Sequence, residues 1–356
     1  MTHMFIPGPV DVAEEIMQAM TQPMIPHRSK EFNELFKRTG EGMQKIYLTE
    51  NRVFQPPCTG SGMQEAGIRN LVHKDVLSCV NGAFAERWYQ VALANGKQAD
   101  RLEVPWGQPH TPDMLREALQ DKHYEAVTIV HNETSTGVEN PLKDLAAVVH
   151  EISPDTLILV DAVSSLAGAK IETDAWGLDF VLTSSQKCLA LPPGMAFAAV
   201  SDRAMEKAKT VENRGWYFDL LIYEKHRLKD STAMTPAMAI IYGLDRQLER
   251  IFAEGLENRF ARHTDMGERV RSWALEHDMP ALAPLAYCSK TVSTIQNTRG
   301  IDIAALNKFL MERGMRIANG YGDLKNKTFR IAHMGETNMS HIEKLLAAFD
   351  AFLKLA

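Results

Sequence analysis

The sequence predicts an α/β fold built around a mostly parallel β-sheet. Three short apolar runs, at residues 126–130, 156–160 and 180–182, are each followed by polar residues. Short runs rich in β-branched residues and without polar alternation are typical of strands buried on both faces of a parallel sheet. In an open parallel sheet, ligands bind outside the carboxyl ends of the strands. The polar residues that follow these runs are therefore the first candidates for a functional site.

The length of the chain and the order of its elements predict more than one domain. At 356 residues the chain is longer than a typical single domain. We expect an N-terminal arm at residues 1–20, a large domain at residues 21–250 and a small C-terminal domain at residues 251–356. The boundary falls inside a helical pattern that begins near residue 237. Short strand and helix patterns alternate after it, which predicts a small α/β domain.

The composition excludes several classes of protein. The net charge is -6 and there is no long block of like charge, which argues against nucleic acid or an anionic membrane as the main partner. No apolar stretch approaches the ~20 residues that span a bilayer, and the first residues lack the pattern of a signal peptide. The four cysteines form no CxxC pair, so we expect neither a disulfide framework nor a bound metal. A cytoplasmic protein is the expectation that follows.

Three segments in the first part of the chain carry local signals. Residues 5–10 place prolines around Gly8, which predicts a rigid arm. Ser29 suits the N-cap of a helix, because apolar residues follow it at helical spacing. The small residues at 59–63 open another predicted helix, whose free N–H groups and dipole could hold an anion. The segment lacks the lysine of a P-loop, which argues against ATP, and a simple turn is the alternative.

Asp161 and Lys187 follow two of the buried runs and are expected to face one crevice. This pair suits pyridoxal 5′-phosphate (PLP), which needs a lysine for a Schiff base and a partner for its pyridine nitrogen. A carboxylate keeps that nitrogen protonated, and burial beside other cations can lower the pKa of a lysine by up to ~3–5 units. In the alternative interpretation, Asp161 caps a helix and Lys187 is an ordinary surface lysine.

The motifs around these two residues carry a resemblance to a known family. VDAVSS, which contains Asp161, and SSQKCLALPPG, which contains Lys187, resemble the fold-type I, class V aminotransferases. The serine–pyruvate and alanine–glyoxylate enzymes are the most similar group, and the resemblance extends over nearly the whole chain. It implies a large domain with a mostly parallel, seven-stranded type of sheet, a smaller C-terminal domain, PLP as the cofactor, and a homodimer with shared active sites.

The resemblance assigns cofactor contacts to particular residues of this sequence. Ser61, Gly62 and Met63 fill the positions of the phosphate loop, acting mostly through their backbone. Phe84 fills the position of a ring that stacks on the pyridine, although its plain interpretation is a core phenylalanine. Val163 is expected on the opposite ring face.

The resemblance implies two further contacts. Thr134 matches a residue that bonds the ring hydroxyl or the phosphate region, and Gln186 matches a residue that bonds the ring hydroxyl. Glu133 could act as a general base, but the resemblance makes it structural. We interpret His131 as a satisfied core histidine, with a proton carrier as the alternative.

A loop at residues 232–236 is expected to cross the dimer interface. In related enzymes a threonine from this loop donates to the phosphate of the neighbouring subunit's cofactor. Thr235 is the better match and Thr232 the second. Thr235 could also cap a helix that has Pro236 in its first turn, and both roles can hold together.

Two arginines are candidates for substrate binding. Arg330 interrupts an apolar strand, where a charge is costly unless it is paired. A guanidinium matches a carboxylate at two points, and the family uses this arginine for the substrate α-carboxylate. A structural ion pair is the alternative. Some class V enzymes use an arginine at the position of Arg28 for a substrate phosphate, whereas in others it has no such role.

The predicted activity is transfer of an amino group from alanine or serine to glyoxylate or pyruvate. Lys187 would act as general base and acid, and Asp161 would stabilise the protonated pyridine. Phosphoserine or 2-aminoethylphosphonate as donor is the alternative, and it would give Arg28 a role. A PLP lyase of the cysteine desulfurase type needs a reactive cysteine late in the chain, and Cys288 sits before a strand instead of in a mobile loop. A non-catalytic scaffold is the remaining alternative.

Overall fold

The computed structural model describes residues 2–354, in which strands and helices alternate along most of the chain. The strands are β1 (His3–Phe5), β2 (Arg52–Phe54), β3 (Asp75–Val80), β4 (Gln98–Glu103), β5 (Ala126–Val130), β6 (Asn132–Glu133), β7 (Val138–Glu139), β8 (Leu157–Asp161), β9 (Phe180–Ser184), β10 (Ala196–Val200), β11 (Val292–Gln296), β12 (Met315–Asn319) and β13 (Thr328–Ala332). The helices are α1 (Glu14–Ala19), α2 (Lys30–Tyr47), α3 (Gly60–Leu71), α4 (Ala83–Ala94), α5 (Pro112–Asp121), α6 (Leu142–Ile152), α7 (Asp202–Thr210), α8 (Leu220–Arg227), α9 (Met238–Glu254), α10 (Leu256–Glu276), α11 (Ile303–Met311) and α12 (Met339–Leu353).

The large sheet has seven strands in the order β2-β10-β9-β8-β5-β3-β4. The five strands from β9 to β4 are parallel to their neighbours, and β10 is antiparallel to both β9 and β2. The predicted α/β class, with a mostly parallel seven-stranded sheet, is therefore confirmed.

Both faces of this sheet are covered. Along β8, Leu157 and Leu159 pack into one apolar core, whereas Ile158 and Val160 pack into another. Successive side chains of a strand point to opposite faces, so the two cores lie on the two sides of the sheet. Helices from the connections supply the other side of each core, which is why these strands carry no polar alternation.

The register of the central strands brings their carboxyl ends together. Val130 at the end of β5 is paired with Asp161 at the end of β8, and Asp161 is paired with Leu182 of β9. Lys187 follows β9 by three residues. The polar residues after β5, β8 and β9 therefore meet at one edge of the sheet, as the sequence predicted.

A second sheet has four strands in the order β1-β12-β13-β11. Three of its strands come from the last part of the chain, and α10, α11 and α12 share an apolar core with it. The first strand comes from the N-terminal arm, where His3 pairs with Met315 in parallel fashion. The arm thus joins the small sheet before it crosses to the large one.

Several local predictions can be compared with the observed elements. Ser29 accepts a hydrogen bond from the Phe32 N–H at the start of α2, so this N-cap is confirmed. Thr235 is not an N-cap, because α9 begins at Met238 with Ala237 before it. The proposed division at residues 250 and 251 falls within α9 and stays a prediction.

The structure also bears on membranes and metals. Among residues 2–354, no helix combines the length and the apolar character needed to cross a bilayer. Within the same residues, no three histidine, cysteine or acidic side chains are grouped as a metal site would require.

Candidate active site

Asp161 and Lys187 line one pocket at the carboxyl ends of β8 and β9. The pocket encloses an empty volume of about 630 Å³, which is in the range of small-molecule sites. Seven residues predicted to contact a cofactor line this pocket: Ser61, Phe84, Thr134, Asp161, Val163, Gln186 and Lys187. The fold therefore gathers residues that are separated by more than a hundred positions in sequence.

The Asp161 carboxylate is buried and held by two donors. The Gln64 amide donates to Oδ2 at 2.7 Å, and the Val163 N–H donates to Oδ1 at 2.8 Å. Burial raises the pKa of Asp161 to about 6, because the charged form loses water. The two hydrogen bonds favour the charged form and offset part of that effect. The result is an oriented carboxylate that a neighbouring cation would stabilise.

The Lys187 amine lies where protein atoms have replaced most of the water. Its Nζ donates to the Pro7 carbonyl of the N-terminal arm. Desolvation lowers the pKa of Lys187 to about 8, and the positive charges of Arg330 and Arg87 act in the same direction. A lysine with this pKa is partly neutral near pH 7, and only the neutral amine can act as a nucleophile or a base.

The arm approaches Lys187 so closely that only glycine fits at position 8. A Cβ on Gly8 would lie 2.7 Å from Lys187 Cδ, and the residue has a φ of +93°. Both the contact and the left-handed backbone exclude a side chain. This glycine, flanked by Pro7 and Pro9, fixes the arm against the lysine.

The first turn of α3 forms another wall of the pocket. Thr59 caps this helix: its hydroxyl accepts from the Gly62 N–H at 3.2 Å, and its carbonyl accepts from the Met63 N–H at 3.1 Å. Two of the three N–H groups expected to hold a phosphate are thus engaged within the chain. In the described part of the chain, the N–H groups of Gly60 and Ser61 make no hydrogen bond. Met63 is fully buried and does not line the pocket.

Phe84 reaches the pocket from the first turn of α4. The buried Glu133 carboxylate accepts the N–H groups of Phe84 at 3.1 Å and Ala85 at 3.0 Å. It also accepts the Ser135 hydroxyl at 2.6 Å. A Cβ on Gly82 would collide with the Glu133 side chain. Glu133 therefore fixes the helix that presents Phe84, which agrees with a structural interpretation.

His131 also has a local explanation. Its Nδ1 lies 2.9 Å from the Ser165 hydroxyl in the protein interior. Burial lowers the pKa of His131 to about 4, so the ring is neutral near pH 7. This environment is that of a satisfied core histidine.

Arg330, on β13 of the small sheet, is not one of the residues that line the pocket, but it contacts Thr134, which does. Its Nε donates to the Asn319 carbonyl at 3.0 Å, and its Nη1 donates to the Thr134 carbonyl at 3.3 Å. The guanidinium also lies 5.5 Å from the ring centre of Tyr321. Within residues 2–354, no carboxylate lies within 4 Å of its nitrogen atoms. The structure therefore gives Arg330 carbonyl partners and no structural ion pair.

Arg28 and Thr235 lie outside this pocket. Thr235 is exposed and lines a separate cavity with His27. Arg28 is exposed as well, and its charge helps to lower the pKa of His226, although partial desolvation is the larger cause. Neither residue contacts the pocket of its own chain.

Sequence reasoning missed several polar residues that line the pocket: Thr59, Gln64, Arg87, Asn132, Ser164 and Ser184. Helical spacing could have found two of them. Gln64 lies three residues after Ser61 on α3, and Arg87 lies three residues after Phe84 on α4, so each shares a face with a predicted residue. The others follow or end strands at the same edge of the sheet.

The polar lining fits PLP. Buried atoms without a hydrogen-bond partner include Ser184 Oγ, Gln64 Oε1 and Asn132 Oδ1, and all three residues line the pocket. Buried polar atoms are normally paired, so such atoms indicate a polar ligand. Asp161 suits a protonated ring nitrogen, Lys187 suits an aldehyde, and Phe84 and Val163 supply apolar surface for a flat ring.

Comparison with known families agrees with this geometry. Residues 21–324 match the family model described as aminotransferase class-V. The chain belongs to the class V aminotransferases. The cofactor of this family is PLP, so the resemblance noted from the motifs of Asp161 and Lys187 is confirmed.

The alignments with named relatives cover almost the whole of this class V aminotransferase. It is 35% identical to an L-aspartate–glyoxylate aminotransferase of Paracoccus denitrificans, over 93% of this chain and 86% of the relative. It is 32% identical to a serine–glyoxylate aminotransferase of Arabidopsis thaliana, over 99% of this chain and 90% of the relative. Among solved structures, an alanine–glyoxylate aminotransferase from Nostoc sp. superposes with a TM-score of 0.93 and 29% identity, covering 99% of this chain and 95% of that one.

Proposed function

We propose that this aminotransferase moves the amino group of a small amino acid, serine or alanine, to a small 2-oxo acid, glyoxylate or pyruvate. The observation that carries the proposal is the buried Arg330, which has no carboxylate within 4 Å among residues 2–354 and donates to the carbonyl of Thr134, a residue that lines the pocket of Lys187. An amino acid with a free α-carboxylate would supply the missing anion. Relatives named for glyoxylate support this acceptor.

The residues that would hold the cofactor come from three walls of the pocket. PLP supplies an aldehyde and an electron-accepting ring. Asp161 would bind the ring nitrogen, with its carboxylate held in place by Gln64 and the Val163 N–H. Phe84 and Val163 would cover the two ring faces, Thr134 and Gln186 would bond its polar substituents, and the first turn of α3 would hold the phosphate.

Lys187 would move the proton at the substrate α-carbon. With a pKa of about 8, about a tenth of the amine is neutral at pH 7, whereas an ordinary lysine is almost wholly charged. The neutral amine can accept the α-proton and then return it at a neighbouring carbon, which is general base and acid catalysis by one group. The Pro7 carbonyl orients this amine before the reaction.

Arg330 would bind and orient the substrate α-carboxylate. Its planar guanidinium offers donors in a fork that matches both carboxylate oxygens. The Asn319 and Thr134 carbonyls already fix its plane, so little side-chain freedom is lost when a substrate binds. A fixed carboxylate would place the α-proton within reach of Lys187.

The first test is Lys187→Ala, measured with a panel of amino donors. We expect no turnover by the variant, and a wild-type preference for serine or alanine with glyoxylate over phosphoserine and 2-aminoethylphosphonate. Aspartate belongs in the panel because one relative is named for it. Full transaminase activity in the variant would refute the role of Lys187. A preference for the phosphorylated donors would instead favour the alternative in which Arg28 binds a phosphate.

The desulfurase alternative lacks support from its cysteine. Cys288 is partly buried, and burial raises the pKa of its thiol, so it does not resemble an activated thiolate. Its Sγ donates to the Ala283 carbonyl at 3.5 Å. Sulfide release from cysteine by the wild-type enzyme would overturn this judgement.

The same proposal includes a homodimer in the cytoplasm, with active sites shared between subunits. Thr235 is exposed and lies outside its own pocket, as expected of a residue that serves the neighbouring subunit. Exposed apolar side chains also suit an interface: Met24 lines the same cavity as Thr235, and Trp216 and Leu228 precede Thr235 in sequence. Nothing in the charge pattern favours nucleic acid or membrane partners.

Complementation tests the shared site directly. Lys187→Ala and Thr235→Ala subunits are co-expressed with different tags, and the mixed dimer is isolated. We expect one restored site, because the Thr235→Ala subunit supplies Lys187 and its neighbour supplies Thr235. A mixed dimer with half the activity of the pure Thr235→Ala dimer, as one unrestored Thr235→Ala site would give, would show that the sites are not shared.

A further inference from the structure

Arg87 is a cation in the pocket to which the mechanism above assigns no ligand. It lies on α4, three residues after Phe84, and its guanidinium is 5.0 Å from the centre of the Phe84 ring. Its Nη1 donates to the Ser61 hydroxyl at 3.3 Å. No carboxylate of residues 2–354 lies within 4 Å of its nitrogen atoms. A guanidinium with one neutral partner in a pocket indicates an anionic ligand.

Ser61 places Arg87 at the first turn of α3. At this turn the N–H groups of Gly62 and Met63 are already bonded to Thr59, so Gly60 and Ser61 supply the free backbone donors. A phosphate dianion has more acceptor sites and more charge than these donors satisfy. A cation beside Ser61 would make up the difference.

The position of Arg87 is fixed by its helix. Glu133 accepts the N–H groups of Phe84 and Ala85, and the Ser135 hydroxyl accepts that of Ala83, so the first turn of α4 is anchored. One turn later, Arg87 lies on the same face as Phe84. Arg330 lies on the small sheet instead, and its guanidinium donates to the carbonyls of Asn319 and Thr134.

We propose that Arg87 binds the phosphate of the cofactor, together with Ser61 and the free N–H groups at the start of α3. The inference rests on the proposed function, since it takes the ligand of this pocket to be PLP. Arg87 thereby links two contacts of the cofactor, because the same helix presents the stacking ring and the phosphate ligand.

The test compares two ligands that differ only in the phosphate. Cofactor-free full-length protein is titrated with PLP and with pyridoxal, and binding is followed by absorbance and by quenching of tryptophan fluorescence. For Arg87→Gln we expect a loss of about tenfold to a hundredfold in affinity for PLP, because a charge-assisted hydrogen bond is removed. The affinity for pyridoxal should change far less, because Arg87 affects this ligand only through the charge that it places near Lys187. Arg87→Lys, which keeps the charge but loses the fork, should fall between the two.

Arg101→Gln is the matched control, since Arg101 pairs with Glu86 and Glu103 outside the pocket. It should bind both ligands as the wild type does. Wild-type affinity of Arg87→Gln for PLP would overturn the proposal, and so would an equal loss for PLP and pyridoxal. If Arg87→Gln does not fold by circular dichroism, the PLP-to-pyridoxal affinity ratio of Arg87→Lys decides in the same way. Wild-type protein that binds neither ligand would refute the proposed function itself.

Discussion

Asp161 and Arg330 are two buried charges from two different sheets, and their surroundings differ. Asp161 ends a strand of the large sheet, is 6% exposed, and is held by an amide and a backbone N–H. Arg330 lies within a strand of the small sheet, is 9% exposed, and has carbonyl partners only. Desolvation raises the pKa of Asp161 and lowers that of Arg330, so burial disfavours both charges.

Asp161 and Arg330 differ in the groups that compensate their buried charges. Lys187 shares the pocket with Asp161, and the two donors fix the plane of its carboxylate. For Arg330, no carboxylate of the described residues lies within 4 Å, and Glu133 acts on it only at longer range, so we expect a ligand to supply the contacting anion. A permanent partner suits the first site, and a partner that enters and leaves in each turnover suits the second.

The largest effect should come from removing the charge of Asp161. Asp161→Asn keeps the shape but loses the carboxylate that we propose as the partner of the ring nitrogen, so we expect kcat/KM to fall about 10³-fold. Steady-state transamination with serine and glyoxylate measures this. Asp179→Asn is the matched control, because Asp179 is a buried aspartate beside β9 that accepts from the Ile158 N–H. Equal losses in both variants would show that Asp161 acts only through stability.

Removing the guanidinium of Arg330 should have the next largest effect. For Arg330→Gln we expect KM for serine to rise about tenfold to a hundredfold, because a charge-assisted contact to the carboxylate is lost. Ethanolamine, which is serine without its carboxylate, should react equally poorly with both proteins. If the variant loses activity toward ethanolamine and serine alike, Arg330 does not read the carboxylate. Arg330→Lys should recover only part of the affinity.

A smaller effect should follow from loosening Asp161 without removing it. Gln64→Leu leaves the carboxylate with the Val163 N–H as its remaining donor, so we expect PLP to bind about tenfold more weakly. The measurement is a fluorescence titration of the cofactor-free protein. Gln55→Leu is the control, since Gln55 is also buried and donates to the Phe36 carbonyl. PLP affinity that is unchanged in Gln64→Leu would make the amide dispensable.

The smallest effect concerns the influence of the Arg330 charge on the pKa of Lys187. The rate of PLP capture by the cofactor-free protein should rise about tenfold per pH unit and level off above about pH 8, because the neutral amine reacts. The cation of Arg330 lowers the pKa of Lys187, so in Arg330→Gln the midpoint should move upward. Stopped-flow absorbance between pH 6 and about 10 measures both midpoints. A midpoint that stays in place would mean that Arg330 does not contribute to the pKa of Lys187.

Sequence reasoning found the pocket residues whose positions are determined by the ends of the strands. Asp161, Thr134 and Lys187 follow apolar runs, and the rule that parallel strands end at one edge was enough to bring them together. The family motifs added Phe84 and Ser61, whose local patterns alone were ambiguous.

Residues set by helix orientation or by other chains were harder to predict. Gln64 and Arg87 line the pocket because of the orientation of α3 and α4 about their helix axes. A motif at the start of each helix does not include the residues of the following turn. The Met63 N–H is not free for a ligand because it donates to the Thr59 carbonyl. This hydrogen bond depends on the geometry of the helix cap, which residue spacing does not reveal. Thr235 lies outside the pocket of its own chain, and its role in a neighbouring subunit's site stays a prediction.

The pairing of β1 with β12 has a consequence for biosynthesis. His3 cannot pair with Met315 until that residue, about 300 positions later, has been synthesised, so β1 joins the small sheet late. Pro7, whose carbonyl holds the Lys187 amine, follows β1 by two residues. The seven-stranded half therefore leaves the ribosome well before Lys187 gains the Pro7 carbonyl as its partner, so we expect the pocket to be completed only when translation is almost finished.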